Sequence, residues 1–233
     1  MRYGILFCAL AFLIAYCAIA FGGWFLVLMW PACSVAIVGL AYIRLGPGVF
    51  GKRPDGTLNP VSTIVLLPFL LCLWSVWHLL RLGSQERPFD TVAGDLFISR
   101  RLLSSELPAG INTVVDLTAE FTESKGCRSV PNFIAAPMLD DAVLPDATLA
   151  ELATRLTQVE TPLLIHCAQG HGRTGLVSAL VLIARGEAVD ASDALQLLQA
   201  SRPLLRLNSA QMVALEKAAT IILNHQATPR SSN

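Results

Sequence analysis

Residues 162–175 read PLLIHCAQGHGRTG, and this stretch decides the predicted fold of the C-terminal half of the chain. The apolar run over 162–166 predicts a buried β-strand that leads into Cys167. Three glycines follow within eight residues, which predicts a tight loop. The apolar residues 175–185 then predict a helix. A strand, a tight loop and a helix in this order are typical of an α/β domain.

Strand and helix patterns alternate through the rest of this polar half. Further strands are predicted over 96–99, 113–117 and 132–138. Amphipathic helices are predicted over 146–159, 190–200 and 209–224. The alternation predicts an α/β fold in which helices flank a mostly parallel central sheet.

The N-terminal part of the sequence is almost free of charge. No Lys, Arg, Asp or Glu lies between Arg2 and Arg44, or between Asp55 and Arg81. The apolar segments 4–20, 24–43 and 61–80 each approach the length of about 20 residues that a helix needs to cross a bilayer. A cleaved signal peptide is disfavoured for the first segment, because its apolar run continues into a second span.

The sequence is therefore divided into three predicted regions. Residues 1–83 are predicted to form a transmembrane region of about three spans, which makes the chain a multi-pass membrane protein. Residues 84–226 are predicted to form the α/β domain. Residues 227–233 are predicted to be a disordered tail.

Composition excludes several classes of partner and site. The 17 basic and 17 acidic residues balance, so nothing indicates a nucleic-acid partner. The six cysteines form neither a C-x-x-C pair nor a Cys/His ligand spacing. We therefore predict no metal, no cofactor and no disulfide framework, which fits a reducing compartment.

The loop after the strand has the features of an anion site. Backbone N–H groups of a tight loop at a helix N-terminus form a cradle for an anion, and Gly170 and Gly172 let the loop turn its amides inward. These amides, the helix end and the guanidinium of Arg173 favour the thiolate form of Cys167, which is a strong nucleophile. Arg173 is suited to grip two oxygens of a phosphate. The predicted phosphate loop consists of Cys167, Ala168, Gln169, Gly170, His171, Gly172 and Arg173.

HCAQGHGRTG resembles the Cys-x5-Arg signature of the protein tyrosine phosphatase superfamily, and within it the dual-specificity branch. The resemblance covers roughly residues 89–223. It implies that Cys167 is the nucleophile and that Arg173 binds phosphate. It also implies that Thr174 stabilises the leaving thiolate in the second step and that His166 tunes the hydrogen bonding of the cysteine. The alternative is a buried cysteine in a glycine-rich turn.

A general acid is expected upstream, because the leaving alcohol needs a proton. Residues 138–145 read MLDDAVLP, and the resemblance places an aspartate on a mobile loop that ends near a proline. Asp140 and Asp141 both satisfy this pattern, and Asp140 is favoured because it follows the apolar run. The other carboxylate is then an ordinary loop residue.

The predicted function is that of a membrane-anchored phosphatase working through a cysteinyl-phosphate. Its predicted substrates are phosphotyrosine and phosphoserine/threonine proteins. The alternative is a phospholipid head group, of the phosphatidylglycerophosphate or phosphoinositide type, which three spans favour. A second alternative is a non-catalytic phosphate-binding module. Basic residues do not orient the spans, but a reactive thiolate survives best in reducing cytosol, so the catalytic domain is predicted to be cytoplasmic.

Overall fold

The structure, a computed structural model, describes residues 2–227. The predicted disordered tail therefore lies outside the described residues, apart from Ala227, at which the last helix ends. By its internal contacts the chain divides into two compact units. One contains Met1–Glu86 and Ala119–Thr122, and the other contains Arg87–Thr118 and Glu123–Asn233.

Three apolar helical segments form the first unit. They are α1 (Arg2–Phe21), a second segment over Gly23–Leu45 that contains α2 (Met29–Leu40), and α3 (Pro60–Gly83). The second segment begins with a 3-10 turn and ends with a π-helical turn. All three are long and apolar enough to cross a membrane. Each extends beyond the predicted span at both ends, by one to three residues.

Many large apolar side chains of this unit point outward. Phe12 is 75% exposed and Ile5 is 65% exposed. Soluble monomers rarely expose contiguous apolar surface on this scale, whereas lipid chains solvate it without cost. Inside the unit, the hydroxyl of Ser34 on α2 accepts a hydrogen bond from the amide of Phe69, directly after Pro68. A neighbouring helix thus supports the backbone at the proline of α3.

The short segment Ala119–Thr122 belongs to the first unit, although it follows the third strand of the second. Trp74 donates its indole N–H to the carbonyl of Glu120 at 3.0 Å, and Lys52 donates to the carbonyl of Phe121. The rings of Trp77 and Phe121 pack with their centroids 5.7 Å apart. These contacts hold the segment against α3 and the connection before it.

The second unit is an α/β domain built on a five-stranded sheet. Its strands are β1 (Phe89–Ala93), β2 (Leu96–Arg100), β3 (Thr113–Thr118), β4 (Asn132–Met138) and β5 (Leu163–Cys167). Its helices are α4 (Lys125–Arg128), α5 (Asp146–Leu156), α6 (Gly172–Ala184), α7 (Ala191–Ser201) and α8 (Ser209–Ala227). The strand order is β1-β2-β5-β3-β4, and only the edge pair β1–β2 is antiparallel. The predicted α/β fold with flanking helices is confirmed.

Two elements of this unit were not predicted. β1 carries the polar residues Asp90 and Thr91 and lies at the sheet edge, so it lacks the continuous apolar pattern of a central strand. α4 has four residues, which is too short to show a helical period.

Side chains alternate between the two faces of the sheet, and this alternation separates neighbouring residues of β5. Leu163, Ile165 and Cys167 face the larger core, which α5–α8 complete. Leu164 belongs to a smaller core on the opposite face. His166 shares that opposite face, so the two residues of the His-Cys pair point to different sides of the sheet.

Candidate active site

The candidate site lies at the carboxyl ends of three parallel strands. β5 ends at Cys167, β3 continues past Leu117, and β4 ends at Met138. Because these strands are parallel, their carboxyl ends meet at one edge of the sheet. Ligands of open parallel sheets bind in the crevice at this edge.

The predicted phosphate loop forms a tight turn between β5 and α6. Cys167 is buried, and the backbone N–H of Gly170 points at its Sγ, with 3.3 Å between the two atoms. The amide of Gly175 donates to the carbonyl of His171 at 2.6 Å, which closes the first turn of α6. The sulfur thus lies beside a backbone amide of the loop that leads into the N-terminus of α6, a position at which proteins bind anions.

Only glycine fits at position 170. Its φ is +75°, in the left-handed region. A Cβ built there would lie 2.6 Å from the carbonyl carbon of Ser99, from its oxygen and from the amide nitrogen of Arg100. The loop therefore packs directly against the backbone of β2, which holds its amides in place.

Arg173 is held by the ends of two strands. The residue is buried, and its Nη1 donates to the carbonyl of Met138 at 2.9 Å and to that of Leu117 at 3.4 Å. Its Nη2 lies 3.2 Å from Oδ1 of Asp140. The guanidinium is thereby fixed in one orientation before any ligand binds, which lowers the entropy cost of gripping an oxyanion.

The two candidate acids have different surroundings. The side chain of Asp140 is 65% exposed and reaches the guanidinium of Arg173. Asp141 has a φ of +54°, and Asn208 donates its side-chain amide to the carbonyl of Asp141 at 3.1 Å and to its Oδ1 at 3.3 Å. Asn208, directly before α8, thus connects to the loop at Asp141, whereas the carboxyl group of Asp140 lies beside the guanidinium of Arg173.

A cavity of about 380 Å³ opens over the thiol. Its lining includes six predicted site residues: Asp140, Asp141, Cys167, Gln169, His171 and Gly172. The other predicted residues, His166, Ala168, Gly170, Arg173 and Thr174, are not among these lining residues. Ala168 and Thr174 are buried, and within residues 2–227 the hydroxyl of Thr174 has no hydrogen-bond partner.

One wall of the cavity was not predicted from the sequence. It consists of Leu204, Arg206, Leu207, Asn208 and Gln211. Gln211 is buried, and its amide lies 2.9 Å from where a Cβ on Gly172 would stand. Asn208 and Gln211 are three residues apart at the start of α8, a spacing that puts them on one helix face. This spacing is the feature of the sequence from which the two residues could have been assigned to one surface.

His166 lies in a buried cluster of charged residues on the opposite face of the sheet. Its Nε2 is 3.4 Å from Oε2 of Glu123 and 3.9 Å from Oδ1 of Asp116. Asp116 is its direct register partner on β3, which explains their proximity. Arg101 approaches Glu123 at 3.8 Å. The sequence gives little sign of this cluster, because Glu123 reaches it only through the turn after β3.

These ligand types also suit a divalent cation. The donor atoms of Asp116, Glu123 and His166 lie within 4.8 Å of one another. However, the Arg101 guanidinium already faces Glu123. Oδ1 of Asp116 already accepts hydrogen bonds from the amide and the hydroxyl of Thr118. Both carboxylates thus have protein partners, so we assign no metal to this cluster.

Cys127 provides a contrast with Cys167. Burial, and then the nearby carboxylate of Glu123, raises the pKa of the Cys127 thiol to about 12. A thiol in this state stays protonated at neutral pH and is a poor nucleophile. Of these two cysteines in the α/β unit, only Cys167 lines the cavity.

Comparison with known proteins identifies the family of the domain that contains this site. The family model described as "PTP-SAK: Swiss Army Knife protein, DSP-PTPase phosphatase domain" matches residues 99–231, more than half of the chain. The chain belongs to this phosphatase family. The α/β unit is thus a phosphatase domain of the protein tyrosine phosphatase superfamily, and this class acts on phosphorylated substrates. A search of curated protein sequences found no match.

Solved structures share the fold of the phosphatase domain. PTPMT1 superposes with a TM-score of 0.51 at 14% identity, covering 60% of this chain and 98% of that protein. Tk-PTP in its active form superposes with a TM-score of 0.50 at 24% identity, covering 57% of this chain and 97% of that protein. At these identities the likeness extends to the fold alone.

Proposed function

We propose that this protein is a membrane-anchored phosphatase that hydrolyses phosphate monoesters through a cysteinyl-phosphate intermediate. One observation carries the proposal: Cys167, whose sulfur accepts a hydrogen bond from the Gly170 amide, lines one cavity together with Asp140, whose Oδ1 lies 3.2 Å from the guanidinium of Arg173. A nucleophile, an anion cradle and a proton donor thus lie at one cavity, as phosphoryl transfer requires. Their presence together favours catalysis over a non-catalytic phosphate-binding module.

In the first step, the Cys167 thiolate attacks phosphorus and forms an S–P bond. The bond between phosphorus and the ester oxygen breaks, and the leaving alkoxide takes a proton from the carboxyl group of Asp140. Arg173 and the loop amides stabilise the charge on the three equatorial oxygens. Because Arg173 is anchored to two strand ends, it does not have to reorganise as this charge develops.

In the second step, water attacks phosphorus and the S–P bond breaks. The carboxylate of Asp140 accepts a proton from this water, and inorganic phosphate leaves with the thiolate restored. The hydroxyl of Thr174 has its donor uncommitted among the described residues and is proposed to stabilise the departing thiolate. Phosphate release from p-nitrophenyl phosphate by the purified full-length protein tests the proposed function.

The assignment of the acid gives a direct prediction. Asp140→Asn is expected to lower kcat about 10²–10⁴-fold for alkyl phosphates, whose alkoxides need a proton, and much less for p-nitrophenyl phosphate. Asp141→Asn is the matched variant, and we expect it to act mainly on loop order, with a similar effect on both esters. Steady-state kinetics on the two esters distinguishes the carboxylates. A leaving-group-dependent loss in Asp141→Asn instead would reverse the assignment.

The three apolar helices support an anchoring role, and the cysteine chemistry supports a cytoplasmic catalytic domain. With three crossings, the N-terminus is then outside. We expect a cysteine placed at Ser232 to react with a membrane-impermeant maleimide only after the cells are lysed. The unmodified chain controls for the native cysteines. Labelling of Ser232→Cys above that control in intact cells would rule out this orientation.

A further inference from the structure

The cavity is larger than a phosphoryl group needs. Its volume of about 380 Å³ falls in the range of sites that hold whole small-molecule ligands. The predicted phosphate loop supplies four of its lining residues, and the segment Leu204–Gln211 supplies five more. The groups on this wall therefore face the part of the substrate that leaves as the alcohol.

Arg206 is held on this wall by hydrogen bonds from one nitrogen of its guanidinium. Its Nη1 donates to the carbonyls of Pro203 at 2.6 Å and Leu205 at 2.7 Å. Among the residues that the structure describes, its Nε and Nη2 have no hydrogen-bond partner. Nε–H and Nη2–H together form the fork that binds an oxyanion in bidentate fashion.

Arg206 and Arg173 place their positive charges in different surroundings. Arg173 is buried, whereas Arg206 is exposed and lines the cavity. The other formally charged residues in the described lining are the acidic Asp140 and Asp141. The predicted phosphate loop and the remaining cavity lining thus each contribute one arginine, Arg173 and Arg206.

Apolar side chains lie on both sides of Arg206 in the sequence. Leu204 and Leu207 also line the cavity, and Leu204 is 61% exposed. A carbon chain fits beside these side chains, and an oxyanion fits at the guanidinium between them. The wall thus matches an alcohol that carries a second anionic group a short distance from the phosphate monoester.

We propose that Arg206 is a specificity-determining residue that binds a second oxyanion on the leaving alcohol of the substrate, for which a phosphodiester serves as the probe. This inference rests on the proposed function, because it assumes that the monoester occupies the phosphate loop. It concerns substrate choice and assigns Arg206 no part in the chemical step. A lipid head group and its soluble, deacylated counterpart both offer this chemistry.

Binding to a variant that lacks the nucleophile tests the proposal without requiring turnover. In the Cys167→Ser background, calorimetry would measure the Kd of glycerophosphoglycerol phosphate, which has a monoester and a diester, and of glycerol 3-phosphate, which has the monoester alone. We expect Arg206→Gln to raise the Kd of the first probe about 10- to 100-fold more than that of the second, as expected for one bidentate charged contact. Arg206→Lys should lose part of this selectivity.

The matched control is Arg155→Gln, which removes one exposed positive charge from α5 away from the cavity lining. It is expected to leave both Kd values unchanged. Equal weakening of both probes by Arg206→Gln would overturn the proposal and mark Arg206 as a support for the 203–205 turn. No weakening of either probe would overturn it too.

Turnover by the protein with its native Cys167 then shows whether the diester belongs to a lipid or to a soluble compound. Phosphatidylglycerophosphate in bicelles and the deacylated probe are compared with phosphotyrosine peptides. Preference for either diester substrate, lost in Arg206→Gln, supports the proposal and identifies a lipid or a soluble source. Preference for peptides that is insensitive to Arg206→Gln overturns it. Failure of the native protein on p-nitrophenyl phosphate and all these esters contradicts the proposed function instead, while the binding result still stands.

Discussion

Cys167→Ser is expected to abolish phosphate release while the protein still binds phosphate esters. Serine keeps the size and the loop geometry but is a far weaker nucleophile at neutral pH, since its hydroxyl is not ionised there. Loss of a nucleophile that acts together with an acid and an anion cradle lowers kcat by about 10⁴-fold or more. Phosphate release from p-nitrophenyl phosphate measures the loss, and calorimetry measures the retained binding.

Cys127→Ser is the matched control for this experiment. Its thiol is buried in the same domain, and its raised pKa keeps it protonated. We expect Cys127→Ser to retain turnover, and we expect iodoacetamide to modify Cys167 before Cys127. Turnover that survives in Cys167→Ser, or that is lost equally in Cys127→Ser, would contradict the assignment of the nucleophile.

Gly170→Ala is expected to have the second largest effect. The new Cβ would lie 2.6 Å from three backbone atoms of β2, and backbone atoms cannot rotate away as a flexible side chain does. The loop has to move, which turns its amide away from the Cys167 sulfur and misplaces the bound phosphate. A displacement of this kind costs roughly 10²–10³-fold in turnover. Kinetics and the melting temperature should be measured together.

Gly186→Ala separates this clash from backbone strain. Gly186 has a φ of +72°, close to the +75° of Gly170, but a Cβ there would meet nothing within 4 Å. Both variants therefore pay a similar strain of about 1 kcal/mol in the left-handed region. We expect Gly186→Ala to lower the melting temperature modestly and to retain turnover. Equal losses of turnover in the two variants would show that contact with β2 does not hold the loop.

Much of the fold could be predicted because most strands and helices show a hydrophobic pattern within their own segment of the sequence. Residues 132–138 were predicted as a strand, and β4 has these bounds. The apolar core strands and amphipathic helices show periods of 2 and 3.6 residues over their own lengths. β1 and α4 could not be predicted, because an edge strand and a four-residue helix show neither period.

The site could be predicted only in part, for a related reason. Cys167 and Arg173 belong to one continuous loop, so their spacing alone brings them near each other. The contacts of Asp140 and Asp141 depend on Arg173 and Asn208, which lie 33 and 67 residues further along the chain. Two adjacent carboxylates on one loop look equivalent until packing turns one toward the guanidinium.

By itself, the sequence determined three things about this protein: the apolar segments long enough to cross a bilayer, the alternation of strands and helices, and the tight loop that carries Cys167 and Arg173. Each is encoded within one stretch of chain. Only the tertiary structure decided that Asp140 faces Arg173, that Glu123 and Asp116 surround His166, and that Arg206 lines the cavity. These placements arise when strands pair in register and α8 packs beside the loop, and no local period records such long-range contacts.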